Sequence, residues 1–433
     1  MNQMKFARAF FVVGLCALAS GCLSTSTPSR PESKAATRWL ATDITQYRNT
    51  KRPAVQPLTV NGLRDGDLAL FTRVYDRVRT MYVRDVDENS LKTAAAEGMR
   101  RAYPDPTQAP TRALVEAAIN GMLASLDPYS SYLDQAHWRA LREQTSGEFG
   151  GIGIQVRKGE GYIEVISPID GTPAAKAGVL PGDHILRADG KSFKKMQLRD
   201  AVLMLRGRPG SHVTLTLRRQ KLQQFDLSIM RDIIKVASVR FRTETDIGYI
   251  RISRFSERTG AEVMRAVVSI KARVGAKLKG FVLDLRSNPG GLFDQSIEVS
   301  DVFLSKGTIV STRARVLKRH YQATKGDETG GLPIVVLIDK GSASAAEIVA
   351  GALKDHKRAT LIGTRSFGKG SVQTILPLSV DDRLKLTTAV YLTPSGRSVE
   401  GGITPHVTVP MSDKKDGDDQ LKYALSFLRK HRP

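Results

Sequence analysis

Between residues 233 and 410 the chain alternates short apolar, β-branched runs with segments of helical composition, and few architectures accommodate that order. The runs at 247–252, 281–285, 334–338 and 360–363 are short, and they lack the polar alternation of a half-exposed strand. They fit strands covered on both faces. Residues 259–273, 292–304 and 345–354 between them read as helices, so the expected unit is a mainly parallel sheet covered by helices. Ligands of such sheets bind beyond the carboxyl ends of the strands.

Two glycine-rich turns and a serine fall at those ends. Ser344 follows the strand at 334–338 and opens the helix at 345–354, where the first N–H groups have no intrahelical partner and the helix dipole favours negative charge. A serine in that place ordinarily caps the helix. The small neighbours Gly341, Ser342, Ala343, Ala345 and Ala346 are expected to leave room around the hydroxyl, as a nucleophile approached by a polypeptide requires. No histidine joins Ser344 in a triad pattern, so the base is sought elsewhere. Lys369, between Gly368 and Gly370, is the candidate, with Gln373 four residues on. An amine serves as general base once burial lowers its pKa from about 10.4 to roughly 7 to 8. Phe367 and Val372 are the expected desolvating neighbours, and Gln373 the expected acceptor that aims the amine. Oxyanion donors are expected from the backbone of Gly290 or Gly291, in the turn after the strand at 281–285, together with Ala345 after the serine.

These residues lie in three motifs: Ser-Ala-Ser-Ala-x-Glu at 342–347, Phe-Gly-Lys-Gly-Ser-Val-Gln at 367–373 and Asp-Leu-Arg-x-Asn-Pro-Gly-Gly at 284–291. The set resembles the C-terminal processing peptidases, or tail-specific proteases, of serine peptidase family S41. The resemblance implies Ser344 as nucleophile, Lys369 and Gln373 as its partners, and the oxyanion hole on the backbone of Gly290, Gly291 and Ala345. It also implies a spiral α/β core of the crotonase/Clp-like type. Ala346 stands where that family often has serine, and His406 where an acidic residue is usual; neither change removes a group from the proposed site.

Residues 147–232 resemble a PDZ domain of the bacterial protease type, through Gly150-Gly-Ile-Gly-Ile154, the stretch 173–186 and Asp189-Gly190. The loop and strand Gly151, Ile152, Gly153 and Ile154 suit capture of a terminal carboxylate in a backbone nest, the peptide adding as a strand. A helix at 198–205 would wall the groove through Leu198 and Val202, although for any one leucine there a core position is the ordinary role. The fold class is thus multidomain α/β: a helical region at 61–146, the PDZ domain, a protease core at 233–410 and a closing tail and helix at 411–433. Two helical stretches in the first region look partly alike, Ala-Ala-Glu-Gly-Met99 and Ala-Ile-Asn-Gly-Met122; they read either as a small duplication or as chance. These helices would form a cap or a self-association surface.

Residues 1–22 read as an export signal: Lys5 and Arg8 precede an apolar run at 9–19 too short to span a bilayer. Cys22 after Leu18-Ala-Ser-Gly21 resembles the lipidated cysteine of bacterial lipoproteins, while cleavage after Ala19 is the rival reading. Residues 23–60 are expected to be a flexible tether, on the Ser, Thr and Pro content of 23–37. The expected location is the bacterial periplasm, with the membrane reached only through the lipid anchor.

A net charge of +23 raises nucleic acid as a partner, but the charge is spread along the chain without a nucleic-acid motif, which argues against it. Gly363 to Lys369 lacks the Ser or Thr of a P-loop; Ser366 to Lys369 has the Ser-x-x-Lys spacing but two glycines that disfavour the helix it needs. The histidines form no His-Glu-x-x-His, and neither a metal nor a cofactor is expected. The reading is a serine endopeptidase with a Ser-Lys dyad acting on proteins with free C-termini chosen by the PDZ domain; the alternative is a PDZ-bearing scaffold with a non-catalytic core. The resemblance further implies envelope substrates such as cell-wall hydrolases, and a helical-repeat adaptor.

Overall fold

The computed structural model describes residues 31–50, 65–107, 109–219, 223–324, 326–411 and 417–430. The expected signal segment, with Cys22, lies outside them.

Four helices come first: α1 (Pro31–Thr50), α2 (Asp65–Met81), α3 (Glu88–Ala102) and α4 (Thr111–Ala124). Helix α1 corrects the tether expected over 23–60. Leu40 and Ile44, one turn apart, are fully buried in the core that also holds Phe71 and Val74, so an amphipathic face begins just past the stretch on whose composition the expectation rested. Helices α3 and α4 cross at Gly98 and Gly121, where a Cβ on either would stand 2.5 Å from a backbone atom of the other helix. The two similar stretches are therefore the two sides of one crossing, with Met99 and Met122 both buried. A short strand β1 (Ser131–Leu133) and helix α5 (Gln135–Ser146) lead onward.

The PDZ unit comprises β2 (Glu148–Gly151), β3 (Ile154–Lys158), β4 (Ile163–Pro168), α6 (Pro173–Lys176), β5 (His184–Ala188), β6 (Lys191–Ser192), α7 (Leu198–Leu205), β7 (His212–Arg218), β8 (Phe225–Met230) and β9 (Asp232–Lys235). Its sheet runs β3-β4-β5-β7-β8, which leaves β3 at an edge. Strands β2 and β9 pair antiparallel, from Glu148 with Lys235 to Gly151 with Asp232, so the chain enters and leaves the unit side by side.

The remaining elements are β10 (Val239–Glu244), β11 (Ile247–Ile252), α8 (Thr259–Val274), β12 (Gly280–Asp284), α9 (Phe293–Phe303), β13 (Thr308–Arg313), β14 (Lys318–Gln322), β15 (Ile334–Ile338), α10 (Ala345–Asp355), β16 (Ala359–Gly363), β17 (Ser371–Pro377), β18 (Arg383–Leu392), β19 (Val407–Thr408) and α11 (Asp419–Lys430). The main sheet runs β10-β11-β12-β15-β16-β19 and is parallel except at β10. Every residue of β12 and β15 is buried, as the unbroken apolar runs require. Helices α8, α9 and α10 share one core with this sheet, and α11 covers its other face through Ala424 and Leu428. A second sheet, β1-β18-β13-β14 with β17 on β18, joins core to cap: Leu376, Leu378, Leu384 and Leu386 of its long hairpin pack into the helical bundle.

Candidate active site

Three parallel strands, β11, β12 and β15, end beside one another, and the turns beyond them are bolted together. Asp339 accepts from Gly341 N at 2.9 Å and Ser287 N at 2.8 Å; Ser342 Oγ donates to Leu285 O at 2.8 Å. Asn288 Nδ2 donates to Ile252 O at 2.9 Å, while its own carbonyl accepts from Ala343 N at 2.9 Å. The small residues around Ser344 serve this docking rather than open space for substrate. A Cβ on Gly341 would meet Ser287 Cα at 2.8 Å, and one on Gly290 would meet Ser344 Cβ at the same distance. The motif residues Asp284 and Arg286 work just behind. Burial opposes the charge of Asp284, but Arg286 and Tyr249 hold its carboxyl below the ordinary range, and Arg286 ties it to Asp418 ahead of α11.

Ser344 is the residue between β15 and α10, with φ at +54° and ψ at −115°. A serine rarely holds that conformation, and such strain persists where the surroundings over-determine it. Glu347 supplies much of the constraint. Its carboxylate is fully buried and accepts from Ser344 N at 2.8 Å, Lys369 N at 2.9 Å, Gly368 N at 2.7 Å and Ser366 Oγ at 2.6 Å. One side chain in the first turn of α10 thereby fixes both the serine and the loop that carries the lysine. The Tyr391 hydroxyl adds a second tie, donating to Ser344 O at 3.1 Å and to Lys369 O.

Lys369 and Ser344 line one cleft of about 360 Å³ with Gln373, Gly290, Gly291, Ala345 and an apolar wall that includes Phe255, Phe293 and Ile348. Burial, and then the charge of Lys385, push the Lys369 amine down to about 8, against the opposing pull of Asp127 and Glu347. Its Nζ stands 4.6 Å from the centre of the Tyr129 ring, a cation–π contact with the loop that follows α4. Among the described residues no hydrogen bond joins it to Ser344 Oγ. That loop is itself held by Asp127, which accepts from Tyr129 N at 2.7 Å and Ser130 N at 2.8 Å.

Several expectations are corrected. Phe367 is 58% exposed, and the ring the amine rests against is that of Tyr129, far away in sequence, while Val372 lines the cleft. Gln373 Nε2 donates to Ser371 Oγ at 2.8 Å and Thr387 Oγ1 at 3.3 Å, and its bond with the Lys369 amine is not formed. The Gly290 N–H is taken by Asn288 Oδ1 at 2.9 Å, while the N–H groups of Gly291 and Ala345, which line the cleft with Ser344, have no acceptor among the described residues. Gly291 has φ at +147° and lies where a Cβ would strike Phe255 O at 2.0 Å, which excludes any side chain there. Ile152 is buried in the PDZ core, whereas Ile154 on edge strand β3 and Leu198 and Val202 on α7 are half-buried. His406, pushed down by burial and then by Lys354, is a neutral acceptor for Leu361 N at 2.9 Å. Sequence reasoning assigned no role to Glu347, Tyr391 or Tyr129. Glu347 carried a usable signal in its capping-box spacing of three from Ser344, and Tyr129 lies in the stretch 126–134, which resembles the element preceding the PDZ domain in the C-terminal processing peptidases.

A family model described as "Peptidase family S41" matches residues 246–409, and one described as "PDZ domain" matches 150–229. The "Carboxy-terminal-processing protease" of Bartonella bacilliformis is 49% identical over 385 residues, covering 87% of this chain and 83% of that protein. The "Carboxy-terminal processing protease CtpA" of Bacillus subtilis is 42% identical over 304 residues, 69% of this chain and 65% of that protein. Among solved structures, the photosystem II D1 C-terminal processing protease matches with 30% identity and a TM-score of 0.49, over 80% of this chain and 94% of that one. A lipoprotein from Streptococcus agalactiae, 13% identical with a TM-score of 0.50 over 88% of this chain and 99% of that one, is alike in fold alone.

Proposed function

Since the chain belongs to peptidase family S41, among the carboxy-terminal-processing serine proteases, we propose that it is an endopeptidase whose nucleophile is Ser344 and whose general base is Lys369. The observation that carries this reading is the shared cleft, in which a strained serine at a helix N-terminus and a half-buried lysine with its pKa brought to about 8 are fixed by one carboxylate. The neutral amine turns from the Tyr129 ring to Ser344, takes its proton, and Oγ attacks a backbone carbonyl. The developing oxyanion meets the N–H groups of Ala345 and Gly291. The protonated amine then gives its proton to the leaving nitrogen, and water releases the acyl group by the same path. Gln373, which lines the same cleft from β17, orients it once the amine has turned.

The PDZ unit selects substrates by their C-terminal residues. The peptide adds as a strand to the free edge of β3, its carboxylate sits at the Gly151–Gly153 loop, and its last side chain lies between Ile154, Leu198 and Val202. Export by residues 1–22 and a lipid on Cys22 would set the enzyme on a bacterial membrane facing the periplasm. Its substrates there are envelope proteins, cell-wall hydrolases among them, delivered with or without a helical-repeat adaptor, and the cap helices offer a surface for self-association. The test is cleavage of an unfolded protein ending in an apolar residue. Turnover by the unaltered chain, absent from both Ser344→Ala and Lys369→Ala, is the expected result; turnover retained by either variant removes the dyad.

A further inference from the structure

The hairpin of β13 and β14 ends in a tight turn, closed by Ala314 N donating to Leu317 O at 2.8 Å. Turns favour Gly, Asn, Asp and Pro at their centres, yet Arg315 and Val316 occupy this one, with Val316 98% exposed and Leu317 49% exposed. Every residue from Arg315 to His320 is exposed. Two apolar side chains are thus held in solvent within a collar of Arg313, Arg315, Lys318 and Arg319. Arg315 is anchored, by a bond to Arg79 O at 2.6 Å and an ion pair with Asp85. Among the described residues no ion pair engages Arg313, Lys318 or Arg319.

The place of this tip matters as much as its chemistry. Helix α1 runs back along α2: Trp39 packs on Phe71, while Arg48 reaches Ala109 and Thr111 at the end of the bundle where Arg112 meets Asp67. The first turn of α1 therefore lies toward the last turn of α2, and Arg79, to which Arg315 is bonded, belongs to that turn. The chain preceding Pro31 joins the fold at the same end as the hairpin tip. Eight residues lie between Cys22 and Pro31, nine chain steps with a reach of at most about 30 Å when extended.

We propose that the hairpin tip is a membrane contact: Val316 and Leu317 enter the headgroup region of an anionic lipid surface while Arg313, Lys318 and Arg319 meet its phosphates. Apolar side chains ringed by basic ones suit that partner, because each basic residue near an anionic leaflet and each apolar group in its interface contribute separately. Tyr321 on β14 packs edge-on against Phe293, which lines the cleft, so the contact would also set the cleft's bearing on the membrane. The inference needs neither the lipid on Cys22 nor the dyad.

It is tested with protein beginning at residue 23, which keeps every described contact, mixed with vesicles of phosphatidylcholine alone or with phosphatidylglycerol added. Binding to the anionic vesicles, weakened by salt and absent from the neutral ones, is expected. Lys318→Glu with Arg319→Glu should lower the partition coefficient about tenfold or more, and Val316→Ser with Leu317→Ser several-fold. Cleavage of a soluble unfolded protein should be unchanged in all of them, which separates a lost contact from a lost fold. As a direct readout, Val316→Trp should shift its emission to the blue on anionic vesicles only. Equal binding to both vesicle types, anionic binding indifferent to the tip variants, or an unshifted tryptophan overturns the proposal. So does a dimer that the same variants dissociate, since the tip would then cover a second copy.

Discussion

The two halves of the candidate site are held by different means. Ser344 is positioned locally: the strand before it, the helix after it, and two turns at neighbouring strand ends leave its backbone no alternative to a φ of +54°. Lys369 is half local. Its backbone is tied to Glu347, 22 residues away, but its amine rests on Tyr129, in a loop belonging to the helical cap. The proposed nucleophile is thus prearranged by the core, whereas the proposed base also rests on the cap, through Tyr129 and the charge of Asp127. A site so divided can be switched through its base without disturbing its nucleophile.

The largest effects should come from breaking either half outright, and the two should differ in stability. Ser344→Gly is expected to abolish turnover while raising stability by about 1 kcal/mol, because glycine accepts positive φ without strain. Chemical denaturation beside the unaltered chain measures this. Lys369→Met should be equally inert. The amine's folded pKa of about 8 lies below its ordinary value of 10.5, so between those values the unfolded state binds the proton more readily and native stability rises with pH. Lys369→Met should lose that rise, which melting curves across the window would reveal.

Glu347 joins the halves, and its removal should damage both. Glu347→Ala leaves four buried or half-buried donors without their acceptor, and a loss of about 3 to 5 kcal/mol with little residual activity is expected. Stability unchanged in urea unfolding would show that the two halves are held independently.

Smaller and more telling is the pH profile. With a neutral lysine as base, kcat/KM should climb about tenfold per pH unit toward about 8 and then level. Tyr129→Leu removes a ring that stabilises the ammonium form, so the inflection should move down by about half a unit to one unit, whereas Tyr129→Phe, which keeps the ring, should leave it in place. An inflection indifferent to Tyr129→Leu would break the contrast between the halves. The smallest effect is expected at the PDZ groove: Val202→Asp should raise KM several-fold for proteins with apolar C-termini and leave kcat and the pH inflection alone.

How much of this was legible beforehand varied with the range of the interactions. The alternation of fully apolar runs with helices specified the parallel sheet, because strands covered on both faces have no freedom to be polar, and every residue of β12 and β15 is indeed buried. The placing of the serine and the glycine turns at the carboxyl ends of those strands followed from the same pattern. Helix α1 escaped notice because Leu40 and Ile44 are few and follow a loop-like composition; their burial is decided by Phe71 and its neighbours. Phe367 shows the converse, since it is close to Lys369 in sequence yet turned to solvent: adjacency in sequence does not make a neighbour in space.

What the sequence determined by itself is the family and the scaffold: the three motifs, a mainly parallel sheet with their turns at its strand ends, and the PDZ unit ahead of the core. What only tertiary structure decided is which of those groups are free to act. The Gly290 N–H belongs to Asn288 and is not free as an oxyanion donor, and the Gln373 amide nitrogen is held by Ser371 and Thr387 while, among the described residues, its oxygen makes no bond to the Lys369 amine. The lowered pKa of the lysine likewise comes from burial and from Lys385, against the pull of Asp127 in the distant cap. Hydrogen-bond partners and desolvation are properties of neighbours in space, and a residue's type and spacing carry them only where the neighbours are close in sequence.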